Sequence, residues 1–336
     1  MPKSSLASRK LHSERLVTRG HPRLVSSSYA ERVPELPDVQ VYVERLAAHL
    51  VGQTITGVRL PKPFLVRTFD PPLTSVIGTR VDGFSRIGKR IVFELEHELF
   101  MVLHLMIAGR LHLGEPGKKL PGRIGLLAID FDRSSLVLTE AGSKRRASLH
   151  VVKGRASLAM FVRGGVEPFE VAPTDFAAAL RRENRTIKRA LCDPTIVSGV
   201  GNAYSDEILH RARLSPMQRT SNLTDADLER LFVATREVLT EWLTRLRAEA
   251  ADGFPEKVTA FRQEMAVHGK FKQPCPVCGT AVQRIVYANN ECNYCPRCQT
   301  EGRLLADRAL SRLLTKDFPR TIEDLEEITA ARTRAV

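Results

Sequence analysis

Six cysteines and one short glycine run carry the most legible chemistry in this chain of 336 residues. Four of the cysteines fall as Cys275-x2-Cys278-x16-Cys295-x2-Cys298. Two thiolates so closely spaced on a tight turn reach one tetrahedral ion, and a second such turn closes its coordination sphere. Pro276, Gly279 and Pro296 suit the turns. A closed four-sulfur site leaves no open position, so the ion expected is one structural Zn2+. Binding of this kind supplies about 10–16 kcal/mol of apparent free energy, enough to order a hairpin too small to fold alone. Cys292-x2-Cys295 is a rival second pair that the sequence leaves open. Cys295-Pro-Arg-Cys298 is preferred because it repeats the form of Cys275-Pro-Val-Cys278. The glycine run, Ser198-Gly199-Val200-Gly201-Asn202-Ala203-Tyr204, reads as a turn opening a helix. Free backbone N–H groups at such a start take a phosphate, and Asn202 adds a side-chain donor. Lys188 lies fourteen residues upstream.

These groups need elements to hold them. Pro37 suits the first turn of an amphipathic helix running to Leu50, with Val39, Val43, Leu46 and Leu50 on one face. Short alternating runs follow at 54–60, 79–85, 90–95, 99–105, 126–131, 135–139 and 147–152, separated by Gly, Pro, Asp and Ser. Such runs read as an antiparallel sandwich, ending near residue 165. Gly164-Gly165-Val166-Glu167-Pro168 and Ala172-Pro173 look like a hinge, after which the period becomes helical. Helices are expected at 174–182, 187–192 and 202–211. A long one starts after Thr224, with Asp227 completing a box-like cap and Leu228, Leu231, Val238, Leu239 and Trp242 as its buried stripe. The expected fold is α+β: a leading helix and β-sandwich over 34–165, a helical domain over 170–265 and a cysteine module over 270–300. A leader over 1–33 and a charged helical tail over 301–336 flank them.

The formal net charge of +13, from 51 Lys and Arg against 38 Asp and Glu, favours an anionic polymer as partner. Four spaced cysteines and two extra ones, Cys192 and Cys292, suit a reducing compartment with a metal better than a secreted disulfide framework. No apolar run approaches the roughly 18 residues of a membrane span; the longest, 100–108, is interrupted by His104. A cytoplasmic monomer that does not engage membranes is expected, nucleoid-associated if bacterial. Residues 1–33 are rich in Arg and Ser and poor in acids, so they read as a transit peptide or as upstream sequence outside the working protein.

With Val33-Pro34-Glu35-Leu36-Pro37-Asp38-Val39 ahead of the glycine turn and the cysteine module, the chain resembles the formamidopyrimidine-DNA glycosylase/endonuclease VIII family. The resemblance runs from Pro34 to about Thr300. It implies a sandwich domain led by a nucleophilic terminal proline, a helix–two-turn–helix domain, and a zinc finger that closes on damaged double-stranded DNA. Pro34 falls on the nucleophile, Glu35 on its acidic partner and Lys89 on the sandwich-domain lysine. Lys188 and Asn202 fall on phosphate contacts near the lesion. Arg145 falls on a loop arginine that fills the gap left by an extruded base, and Met106 lies one place from the family's gap-filling methionine, whose position is held by Ile107. The implied activity is a bifunctional one: excision of oxidised or ring-opened bases, then strand cleavage by β-elimination at the resulting abasic site.

The chain also departs from that pattern. An internal proline nitrogen is a tertiary amide and has no nucleophilic lone pair. Val33 occupies the place of the family's initiator methionine, and GTG both encodes valine and starts translation as methionine. The working chain is therefore expected to begin at Pro34, with proteolysis at that bond or a true extension as alternatives. Asn290 stands where many members have the arginine assigned to δ-elimination, and the aromatic after the loop arginines is replaced near Ala147. The short stretch from Gly253 to Lys272 leaves little room for a loop capping oxidised guanine. Two rival readings remain: a clamp that recognises distorted DNA without cutting it, and a zinc-ribbon factor of transcription or translation.

Overall fold

The computed structural model describes residues 34–141, 145–255, 258, 262–287, 290–305 and 319–334; the leader over 1–33 and residues 306–318 of the tail lie outside the described residues. The chain opens with α1 (Leu36–Leu50), which lays Val39, Tyr42, Val43, Leu46 and Leu50 against the first core. Two antiparallel sheets complete that core. One runs in the order β1 (Ile55–Arg59), β6 (Gly125–Phe131), β7 (Ser135–Glu140), β5 (Gly109–Gly114). The other runs β2 (Val81–Ile87), β3 (Arg90–Leu95), β4 (Leu99–His104), β8 (Ser148–Lys153).

Register follows the period-two pattern. Ile91 faces Leu103 and Phe93 faces Met101 across β3 and β4, all four side chains pointing into the sandwich. The intervening Val92 and Val102 point outward, yet they too are buried, beneath a 3-10 segment (Arg155–Phe161) that folds Leu158 and Phe161 back over the sheet. The sequence reading missed one strand, β5. It lies at a sheet edge, buries only Leu111 among its large side chains, and is bracketed by glycines, so too little alternation was left to see.

The second core is helical. It joins α2 (Pro173–Arg181), α3 (Ile187–Cys192), α4 (Asn202–Arg211) and α5 (Asp225–Ala250). Thr224 Oγ1 accepts from Asp227 N, and the Asp227 carboxylate accepts from Thr224 N, the reciprocal cap expected from the sequence. Leu36 belongs to this second core although it opens α1. Gly199 makes that insertion possible: its φ is +76°, and a Cβ there would stand 2.8 Å from the Leu36 side chain.

Beyond α5 a hairpin of β9 (Gln283–Tyr287) and β10 (Asn290–Tyr294) leads into α6 (Pro296–Thr300). The tail returns to this module through Leu304 N on Arg320 O, 2.8 Å, and Ile322 N on Gly302 O, 3.0 Å, before α7 (Ile322–Arg334). Among the described residues no helix is long and apolar enough to cross a membrane.

Candidate functional site

Insertion of Leu36 into the helical core carries Pro34 and Glu35 to the boundary between the two cores. Pro34 is buried there, and the Leu36 N–H donates to Gly199 O at 2.9 Å. Glu35 reaches the start of α4. Its carboxylate accepts from Gly201 N at 2.6 Å, Ala203 N at 2.9 Å and Tyr204 N at 3.3 Å. The opening amides of a helix lack partners within it, and its dipole is positive at that end, so a carboxylate is well placed. The sequence reading expected these amides to be free for a phosphate. They are instead occupied by Glu35, brought in from 166 residues away.

Lys89 joins the same spot from the sandwich. Gly88 and Lys89 form the turn between β2 and β3, Gly88 having φ +58°. A Cβ at Gly201 would lie 2.6 Å from Glu35 Oε1 and would press on Lys89 Nζ. The bare Cα of Gly201 thus lets the Lys89 amine and the Glu35 carboxylate converge.

Lys188 lies under this helix start. It is only 3% exposed, and its ammonium donates to Asn202 O at 2.6 Å, Ser205 Oγ at 2.8 Å and Asp206 Oδ1 at 2.5 Å. Burial works against its charge, but the Asp206 carboxylate outweighs burial and holds the Lys188 ammonium above its ordinary range. Burial likewise works against the charge on Asp206, and Lys188 with His268 keeps that carboxyl below its usual value. The Asn202 side chain points to the finger module, donating to Glu291 O on β10 at 2.9 Å.

Pro34, Glu35, Lys89, Lys188 and Asn202 are therefore gathered about the first turn of α4. Arg145 and Met106 are not: they stand on separate sandwich loops. Arg145 donates to Arg123 O, and Met106, with φ +53°, donates its N–H to His104 Nδ1 at 2.9 Å.

Sequence reasoning missed Asp38. Its Oδ2 accepts from Glu35 N at 3.0 Å, while Oδ1 has no hydrogen-bond partner among the described residues and stands 4.0 Å from the Arg262 guanidinium. Burial pushes the Asp38 carboxyl up to about 7, against the pull of the Glu35 N–H and the Arg262 charge. Asp38 lines a cavity of about 360 Å³ with Val41, Leu246, Phe254, Val258 and Arg262. The available signal was its place three residues after Glu35, which reads equally well as an ordinary helix cap.

In the finger module the sulfurs of Cys275, Cys278, Cys295 and Cys298 all lie within 4.8 Å of one another, with Cys278 and Cys295 at 3.4 Å and Cys275 and Cys298 at 4.0 Å. Tetrahedral zinc with Zn–S near 2.3 Å separates its sulfurs by about 3.8 Å, so the four fit such an ion. Cys292 is outside the group, buried on β10 with Ile285 and Tyr294. His210 on α4 sets Nε2 3.3 Å from Cys275 Sγ.

Residues 33–148 match the formamidopyrimidine-DNA glycosylase N-terminal domain, 165–249 the formamidopyrimidine-DNA glycosylase H2TH domain, and 272–300 the zinc finger found in FPG and IleRS. The formamidopyrimidine-DNA glycosylase of Mycolicibacterium gilvum is 33% identical over 285 residues, covering 81% of this chain and all of that one. The Thermus thermophilus protein of the same description is 33% identical over 286 residues, covering 80% and 100%. Lactococcus lactis Fpg, solved in complex with DNA containing an abasic site, superposes with a TM-score of 0.71 at 26% identity, covering 79% of this chain and 99% of that one. A variant of the same protein was solved with a Fapy-dG containing DNA and superposes equally well, with a TM-score of 0.71. Sandwich, H2TH domain and four-cysteine finger, in that order, define a three-part DNA-glycosylase architecture. The chain belongs to the formamidopyrimidine-DNA glycosylase family.

Proposed function

We propose that the protein is a bifunctional DNA glycosylase and abasic-site lyase acting on oxidised or ring-opened bases in duplex DNA, in base-excision repair. The working enzyme presents Pro34 as its first residue. The observation that carries this reading is the convergence of Pro34, Glu35 and Lys89 at the first turn of α4.

A base inside the stack is reached only by flipping it out. An α-amino group with pKa about 8 keeps about a fifth of its population neutral, and so nucleophilic, at physiological pH. The Pro34 nitrogen attacks the sugar C1′, and the electron pair of the breaking C1′–N bond leaves with the base, which takes up a proton. The sugar ring opens as the C1′–O4′ bond breaks and the Pro34 N–H proton passes to O4′, leaving an iminium between Pro34 and C1′. That cation acidifies C2′; loss of a C2′ proton expels the 3′ phosphate, and water then hydrolyses the iminium to restore the amine.

Glu35 handles protons at the sugar, held in one orientation by the α4 amides. Lys89 steadies the flanking phosphate or assists elimination. Lys188, ion-paired with Asp206 and bonded to Asn202 O, braces from beneath the turn that meets a second phosphate. Arg145 fills the space the base vacates, with Met106 contributing from its own loop of the sandwich. Cys275, Cys278, Cys295 and Cys298 hold a structural zinc, which orders the finger and takes part in no step.

A second reading comes from the chain as written. Pro34 follows Val33, and an acylated nitrogen would leave a clamp that binds damaged DNA without cutting it. Borohydride trapping on abasic-site DNA separates the two. A covalent adduct from the chain beginning at Pro34 is expected; tight binding with no adduct would leave the clamp.

A further inference from the structure

We propose that Arg86, Glu167 and Ser198 form a latch across the two domains that positions Lys89 for reaction, a role that rests on the function proposed above. The three residues come from the end of β2, the hinge and the turn before α4. Arg86 is the penultimate residue of β2. One arm of its guanidinium, Nη1, donates to Gly88 O at 2.7 Å and so grips the turn that carries Lys89. The other arm, Nη2, pairs with Glu167 Oε2 at 2.6 Å. The Arg86 side chain is 11% exposed and that of Glu167 32%, so this pair is shielded from water in a way a surface bridge is not. The second Glu167 oxygen accepts from the Ser198 hydroxyl.

Ser198 is in turn fixed by its own N–H on Val166 O, at 2.9 Å. The next residue, Gly199, is the one whose carbonyl holds Leu36 and hence Glu35 and Pro34. A single relay thus runs from the Lys89 turn through the hinge to the turn before α4 that seats the nucleophile. Arg86 has the donors to do this because its fork addresses a carbonyl and a carboxylate at once; a lysine offers one point charge.

Lys89 needs such a frame. It sits on a turn at the edge of the sandwich, while its amine must meet Glu35 and the α4 start in the other domain. Misplacement by about 1 Å costs on the order of 100-fold in rate. Arg86 and Glu167 reach no reacting atom in this arrangement, so they are positioning residues.

The test compares the chain beginning at Pro34 with Glu167→Gln and Arg86→Lys. Single-turnover strand cleavage at an abasic site, affinity for DNA carrying a tetrahydrofuran abasic analogue, and amide hydrogen exchange at 87–89 are measured together. The latch predicts cleavage slowed at least tenfold, affinity within threefold, and faster exchange at 87–89, with Arg86→Lys failing to rescue despite its retained charge. Cleavage within twofold of the parent, or a loss that only tracks affinity or melting temperature, overturns it. If the parent itself cleaves nothing, the functional reading has failed; the exchange measurement then decides alone, and unchanged protection at 87–89 refutes the latch.

Discussion

In the sandwich, Ile91, Phe93, Met101 and Leu103 meet across β3 and β4 with only apolar atoms between them. Around α4, Lys188, Asp206, Glu207 and His268 are buried as deeply, and every one is polar or charged. Asp206 binds Lys188, His268 Nδ1 at 2.7 Å and Asn293 N at 3.1 Å; Glu207 accepts from the backbone of Ala266, Val267 and His268. The sandwich is a scaffold held by non-directional burial, which tolerates small shifts. The α4 neighbourhood is held by directional bonds among groups that cannot be left unpaired. The second kind of packing fixes the glycine turn, and with it Glu35, in one orientation. Precision at the site is therefore supplied by the more fragile of the two regions.

Removing zinc should break the polar region and spare the apolar one. Binding worth about 10–16 kcal/mol orders such a finger. Chelation should therefore unfold the β9–β10 hairpin and release Asn202 from Glu291 and Asp206 from Asn293. Hydrogen exchange should rise across 275–300 and at the start of α4, with β3 and β4 still protected. Equal loss of protection in both regions would erase the contrast.

Single substitutions should rank in the same sense. Asp206→Ala leaves a buried ammonium on Lys188 without its partner and should cost about 3–5 kcal/mol in urea unfolding. Met101→Ala in the sandwich should cost about 2–5 kcal/mol through lost burial and a cavity. The sharper difference is repair. Adding Lys188→Met to Asp206→Ala should recover part of the loss, because no charge is then stranded, whereas a second sandwich truncation should only add to the first.

A smaller effect distinguishes the two buried aspartates by pH. The folded-state pKa of Asp38 is raised to about 7 from an unfolded value near 3.9, so its stabilising contribution is full in acid and is lost as pH rises toward 7. Asp206 is held below its usual value, so its contribution is present above the unfolded pKa and disappears as pH falls below about 4. Asp38→Asn should flatten the stability profile between about pH 4 and 7, read by urea midpoint, and leave the acid limb in place.

Much of the fold could be read from the chain. Alternation marked seven strands because one face of each meets an apolar core, and it failed at β5, where Gly109 and Gly114 bracket an edge strand. Helices α2 to α5 were visible through period and caps, Thr224 above all. The site was legible in its residue types and much less in its contacts. Glu35, Lys89 and Lys188 could be named, but that Glu35 would take the α4 amides depends on a contact spanning 166 residues. Lys188 looked like a phosphate ligand by type; a lysine buried against Asp206 leaves no local pattern, because the partner lies a helix away. Asp38 was hidden by a role it also plays, as the cap of α1.

The proposed reaction turns on which nitrogen attacks the sugar. Borohydride reduction of the protein, begun at Pro34 and mixed with abasic-site DNA, followed by peptide mass spectrometry, locates the attachment directly. The sugar remnant is expected on the amino-terminal Pro34 peptide, with none formed when Val33 precedes it. A remnant on Lys89, or an adduct of equal yield from the chain that retains Val33, would contradict it.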